Sequence, residues 1–224
     1  MSLTTMNYPQ INFKRAWLSA FVAGTFILTG CTHTIFIDTD FPKPLIEKLP
    51  HTVGVYYAPE FSDYQYKEES KDRTKWVIDS GPAQESLFNT MMTGMFNNVV
   101  EVKSLPPWDQ QPKADIILAP TVEEFQYTLP RETKIKVYEI WVKYNVQVYT
   151  PDGSLLADWI LTSYGKTPTG FMQSDDGALI QAIIVALRDA GANLALNFAK
   201  VPEIRAWLAQ NDLKYSQLPE GANP

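Results

Sequence analysis

The stretch KIKVYEIWVKYNVQVYTPDGSLLADWILTSY, residues 134–164, decides the fold. Tyr138, Ile140, Val142, Tyr144, Val146 and Val148 recur at every second position, with Lys143, Asn145 and Gln147 between them. Successive side chains of a strand point to opposite faces, so the spacing predicts a strand over residues 134–150 with one apolar face. Pro151-Asp152-Gly153 then makes a turn: proline presets the entry angle and glycine accepts positive φ. Residues 155–164 return as the hairpin partner.

Downstream, residues 165–170 read as a loop, and Ser174 or Asp175 can cap a helix over residues 176–198. Ile180, Ile183, Ile184, Leu187, Ala190 and Leu194 give that helix a continuous apolar stripe to lay on the sheet. Pro202 opens a shorter helix through Trp207 and Leu208. Upstream, residues 116–126 form a strand interrupted by Pro120, which belongs at an edge or bulge because it donates no ladder hydrogen bond. Val53, Val55 and Tyr57 mark an earlier strand. Between these two, Leu87, Phe88, Met91, Met92, Met95 and Phe96 recur at helical spacing after Gly81-Pro82, followed by a short strand at Val99, Val100 and Val102. Methionines suit adaptable binding surfaces, but core packing is the stronger reading here.

The order is β-α-β-β-β-β-α with a closing helix. It predicts an α+β domain: a mostly antiparallel sheet, two helices packed on one face, and a short C-terminal helix. Residues 61–73 mix aromatic and charged side chains and read as a surface loop, making Phe61, Tyr64 and Tyr66 candidate partner contacts. A loop that is merely solvated is the plainer alternative.

The first residues have a different character. Lys14 and Arg15 precede a short apolar run, residues 16–29, and then Gly30-Cys31. A positive segment, an apolar helix too short for a comfortable membrane span and a small-residue end make an export signal. Leu28-Thr29-Gly30-Cys31 resembles the bacterial lipobox. That resemblance implies signal-peptidase recognition at Leu28, Thr29 and Gly30, cleavage before Cys31, a diacylglycerol thioether on its sulfur, and an N-acyl chain such as palmitate. Translation starting at Met6 instead of Met1 would leave a more usual leader. The expected organisation is a signal peptide over residues 1–30, a lipid-anchored tether over 31–51, one periplasmic domain over 52–210 and a flexible tail over 211–224. Pro42, Pro44 and Pro50 argue for the tether, whose apolar Ile35, Phe36, Ile37 and Phe41 can lie on the domain, on a partner or at the bilayer, the domain itself being the favoured place.

Composition narrows the function. Removing residues 1–30 takes away two basic residues and no acid, so the net charge moves from −6 to −8. Such a chain is a poor nucleic-acid binder and shows no polybasic patch for lipid headgroups. Cys31 is the only cysteine, so an intramolecular disulfide, a CxxC pair and a thiolate zinc site are excluded. His33 and His51, the only histidines, precede the first clear strand and belong to no metal motif. Glu68-Glu69, Glu123-Glu124 and Asp175-Asp176 are adjacent pairs that solvation, capping or opposite strand faces explain. The expectation is a chain that is not an enzyme, with no catalytic residue, metal or cofactor.

The strand Ala114-Asp115-Ile116-Ile117-Leu118, the hairpin at residues 146–156 and the helix segment at 182–190 resemble those of small envelope accessory lipoproteins. The types are ABC-transport auxiliary proteins, penicillin-binding-protein activators, and domains like the amino-terminal part of TolB. The resemblance spans most of residues 52–200. It implies a noncatalytic accessory or scaffold protein of an envelope assembly, meeting a protein partner by strand addition or side-chain packing. The alternative is a binding module for lipid or another apolar ligand, with Trp141, Trp159 and Phe171 lining its pocket. The lipoprotein resemblance also implies a location: Thr32 follows the cysteine where an aspartate would resemble an inner-membrane retention signal, so the outer membrane and a domain facing the periplasm are expected.

Overall fold

The computed structural model describes residues 33–215 apart from Thr74, Thr133 and residues 171–173. Chain contacts separate Met1–Thr32 from His33–Pro224; the lipobox and Cys31 lie outside the described residues, as does Phe171. The elements run β1 (His33–Phe36), β2 (Leu49–Val55), α1 (Pro59–Ser62), β3 (Gln65–Lys67), β4 (Trp76–Asp79), α2 (Gly81–Met95) and β5 (Phe96–Glu101). Then come β6 (Ile116–Thr128), β7 (Val137–Tyr149), β8 (Leu155–Pro168), α3 (Asp175–Asn197), a 3-10 turn (Phe198–Lys200) and α4 (Pro202–Tyr215).

Two sheets form, ordered β5-β2-β6-β7-β8 and β1-β4-β3. The class is α+β as expected, but the sheets are mixed, not mostly antiparallel. β2 runs parallel to both β5 and β6, and β1 runs parallel to β4. The cause is legible in the strand-helix-strand order: a helical crossover returns the chain to the end where it began, so β5 must enter beside β2 in the same direction.

The expected hairpin forms one side of the larger sheet, with β8 at its edge. β7 pairs along its length with β6 and β8, and its alternate residues Ile140, Val142, Tyr144, Val146 and Val148 are buried. Gly153 takes φ +91° in the turn. Pro120 obeys its constraint by an indirect route. Leu118 O accepts from Tyr56 N at 2.9 Å, so two residues on the Pro120 nitrogen faces the same side, where β2 has already ended.

Three boundaries differ from the sequence reading. Residues 33–51 are not simply a tether: β1 and the start of β2 lie there, and Ile35, Ile37 and Phe41 are buried in the core. Pro50 is tolerated because the β2–β5 register shifts between Leu49 and Thr52. His33 and His51 therefore sit inside strands, the latter 2% exposed and tilted against Trp207 at 4.7 Å. Gly165–Pro168 continues β8 where a loop was expected, and helix α4 runs on to Tyr215, into the supposed tail.

On α3, Ile183, Ile184, Leu187, Ala190 and Leu194 are buried and Ile180 is partly so. Ser174 Oγ caps the helix by accepting from Gly177 N at 3.1 Å, and Ala182 and Ala186 cross β8 at Gly165 with no room for a side chain between them. Helix α2 meets α3 where Leu87 and Met91 approach Gly191, and Phe88 reaches the ring of Tyr144 on β7 at 5.5 Å.

Candidate functional site

Strand β2 has β5 on one side and β6 on the other, with the chain leaving it in opposite directions. In open sheets of this kind a crevice forms beyond the carboxyl ends of the diverging parallel strands. One occurs here: a cleft of about 440 Å³ lined by Tyr56, Tyr57, Glu85, Asn89, Glu101 and Lys103, among others. Tyr57 donates its hydroxyl to Asn89 Oδ1 at 3.0 Å. Burial, then the nearby Glu85 carboxylate, pushes the Tyr57 phenol far above its usual range. It stays protonated at any physiological pH. The cleft thus presents a neutral phenol and amide beneath exposed Glu101 and Lys103, a set suited to hydrogen-bonded recognition of a polar partner.

The aromatic segment expected to meet a partner is split by the fold. Phe61 is 1% exposed and packs on Tyr57, Phe88 and Tyr144, so it is a core residue and not a surface contact. Its place follows from α1, a single turn that aims it inward from between β2 and β3. Tyr64 and Tyr66 are half-buried against Phe125, at 6.4 and 5.2 Å, and keep part of their surface open beside Gln65, Lys67 and Glu69.

A charged clasp that sequence reading missed ties this segment to the end of β6. Arg73 holds Glu132 with two parallel hydrogen bonds, Nε to Oε1 at 2.9 Å and Nη2 to Oε2 at 2.6 Å. Its Nη1 reaches Glu68 Oε2 at 3.2 Å, and Tyr127 donates to the same oxygen at 2.7 Å. Arg73 also lies over the Tyr127 ring at 4.9 Å. The partners are separated by up to 59 positions, so no local pattern announces them.

Burial alone would raise the Glu68 carboxyl, but hydrogen bonds from Tyr127, Ser70 N and Arg73 outweigh it and hold the group below its ordinary value. A depressed folded-state value means the stabilisation is complete above the ordinary glutamate value of 4.5 and is lost as pH falls through the folded value. Glu68→Gln is expected to cost about 1–2 kcal/mol at neutral pH. In thermal melts across pH, its gap from the unaltered protein should close on acidification below that point; a gap independent of pH would contradict the clasp.

The proposed apolar lining does not assemble from the described residues. Trp141 is 51% exposed on the opposite face of β7, tilted against Tyr164 at 4.4 Å, whereas Trp159 packs on Phe198 at 6.1 Å. The adjacent carboxylates diverge as well: Glu123 pairs with Lys143 at 2.7 Å, Glu124 takes Gln126, and Asp176 faces His33 Nδ1 at 3.7 Å. Among the described residues no group of three His, Cys, Asp or Glu could hold a metal ion.

The edges of the larger sheet are unequal. On β8, Tyr164 N donates to Asp189 of α3 at 2.9 Å and Thr162 O accepts from Asn193 at 3.4 Å, so helix side chains close part of that edge. The other edge is β5, which carries exposed Asn97 and Asn98 and borders the cleft at Val99 and Glu101.

No family model matches the sequence, and no curated protein matches it. Solved structures do match. A Xanthomonas campestris protein of the family described as DUF330 is 13% identical with a TM-score of 0.50, over 81% of this chain and 99% of its own. A minor lipoprotein from Acinetobacter baumannii is 9% identical with a TM-score of 0.41, over 69% of this chain and 94% of its own. The first likeness is one of fold: the Xanthomonas protein shares it over nearly its entire length.

Proposed function

We propose that the chain is a noncatalytic accessory protein of the bacterial cell envelope, anchored by lipid on Cys31 and acting by contact with a protein partner. The observation that carries the reading is position: the lipobox-like Leu28-Thr29-Gly30-Cys31 ends immediately ahead of a domain whose first strand starts at His33. Cleavage before Cys31 would release an entire folded unit, already joined to its anchor. Two or more acyl chains hold a protein stably on a bilayer, and Thr32 favours the outer membrane.

The contact surface is the β5 edge together with the cleft beside it. A strand of a partner can extend the sheet at β5 through main-chain hydrogen bonds, while Glu101, Lys103 and Tyr56 read its side chains. Such a partner needs no cofactor from this chain.

Cys31→Ser is expected to move the protein from the membrane to the soluble fraction and to abolish its incorporation of labelled fatty acid. Full membrane retention of the variant would sink the anchor. Crosslinking through a photoreactive group at Asn98 should then recover one specific envelope protein from whole cells; no specific product there would sink the β5 contact.

A further inference from the structure

The strand polarities gather one set of chain ends at a single pole. β1 starts at His33 beside the start of β4, with which it is parallel, and His33 N donates to Lys75 O at 3.0 Å. The Arg73 clasp ties the segment before β4 to the end of β6, and β6 turns into β7 there. A hollow of about 220 Å³ at this pole is lined by Trp76, Leu129, Arg131, Tyr138, Thr169 and Asp175. His33 sits at its margin, against the Trp76 ring at 5.3 Å and Asp176 at 3.7 Å.

The β6–β7 connection projects from this pole with a distinctive surface. Ile135 is 68% exposed, between exposed Lys134 and Lys136, and Arg131 precedes them. Lys136 takes a positive φ of 51°, and its carbonyl accepts from Thr169 N and Oγ1, both at 3.3 Å, which fixes the turn. The acids near it are largely engaged: Glu132 and Glu68 by Arg73, Glu139 by the Tyr164 hydroxyl, and Asp176 by His33. Exposed Glu69 and Asp72 remain, with Lys71 and Lys75 beside them, and exposed Asp175 lies across the hollow beside Tyr138. Arg131 Nη2 reaches the Asp72 carbonyl at 3.5 Å, and among the described residues Arg131, Lys134 and Lys136 form no ion pair with a carboxylate. A chain of net charge −6, whose composition predicts no polybasic patch, thus carries a local cationic tip with an apolar residue at its centre.

We propose that this pole rests on an anionic lipid bilayer, with Ile135 among the headgroups and Arg131, Lys134 and Lys136 against their phosphates. The inference rests on acylation of Cys31, because only that fixes which end of the domain meets the membrane. Two residues of chain span at most ~7 Å, so an acylated Cys31 cannot lie far from His33. The domain has no long leash. Cations near an anionic leaflet are attracted within a Debye length, and the tip lies at the pole where the anchor would hold it that close.

The test uses the full chain, produced with its leader, purified from membranes and reconstituted in vesicles of phosphatidylethanolamine and phosphatidylglycerol. Acylated Cys31 is a thioether, so Ile135→Cys or Ser154→Cys supplies the single reactive thiol; Ser154 lies in the β7–β8 turn at the opposite end of the hairpin. A water-soluble maleimide should react with position 135 several-fold more slowly in vesicles than in the soluble form that also carries Cys31→Ser, and with position 154 at equal rates. Equal rates at both positions, with diacylglycerol mass present on Cys31, would overturn this inference and leave the anchor standing. Protein that lacks that mass and washes off the vesicles would overturn both. Adding Lys134→Glu and Lys136→Glu should restore fast labelling at position 135; full protection in that variant would overturn the role of the cations.

Discussion

Gly165→Ala will lift α3 from the sheet and leave the domain unable to hold its native packing. A Cβ at this position would lie 2.1 Å from Ala182 O and 2.3 Å from Ala186 N, both backbone atoms of α3. No rotamer change relieves a clash with backbone. The helix would have to move, and it carries Leu179, Ile183, Leu187 and Leu194, all buried. Overpacking a core costs ~1–3 kcal/mol where side chains can shift, and here they cannot. A loss of at least ~3 kcal/mol, from the 5–15 typical of a domain, is expected. It would appear as a large drop in melting temperature and early proteolysis of the helix. Gly177→Ala is the control on the same helix: its Cβ would meet only Ser174 Oγ, at 3.3 Å, and its stability should change little. An unchanged melting temperature for Gly165→Ala would refute the close crossing.

Phe61→Ala is expected to be nearly as damaging, at about 3–5 kcal/mol, because it empties a fully enclosed aromatic site. The ring stacks on Tyr57 at 5.5 Å with 14° between planes, and meets Phe88 edge-on at 5.4 Å. These rings join α1, α2 and β7, so their loss loosens three elements together. Denaturant unfolding measures the effect directly. Tyr66→Ala removes a half-exposed ring from the same segment and should cost clearly less. If the two variants proved equally mild, Phe61 would be a surface residue after all.

Phe61 also shows where reading from sequence stops. The segment Phe61-Ser62-Asp63-Tyr64-Gln65-Tyr66 has polar residues on both sides of each ring, which looks like a decorated loop. A single helical turn and a three-residue strand are too short to show a period, so nothing local reveals that the first ring points inward. By contrast, β7 carries its periodicity through thirteen residues, and α3 keeps its stripe over twenty-three. Both were legible for that reason. The parallel half of the sheet lay between these cases. Its strand-helix-strand order was visible, but the neighbours of β2 depend on where the long β5–β6 connection returns.

The candidate site was less legible than the fold. Its cleft draws Tyr57 from one segment, Glu85 and Asn89 from a helix, and Lys103 from beyond β5. The clasp is similar: Arg73, Tyr127 and Glu132 are unremarkable in sequence until the fold brings them together. Prolines misled the reading of residues 33–51, because Pro42 and Pro44 interrupt regular structure without preventing burial of the side chains around them. Ile35, Ile37 and Phe41 were the better guide.

The parallel pairing of β1 with β4 imposes an order of events on the nascent chain. Residues 33–36 are made early, yet their hydrogen-bonding partner, Trp76–Asp79, is made much later. β2 waits longer still, since both its neighbours, β5 and β6, follow it. The amino-terminal segment therefore stays unpaired while most of the chain is still being delivered. If Cys31 is acylated as proposed, the modifying enzyme can act while β1 and β2, the strands that follow it in sequence, still lack their partners.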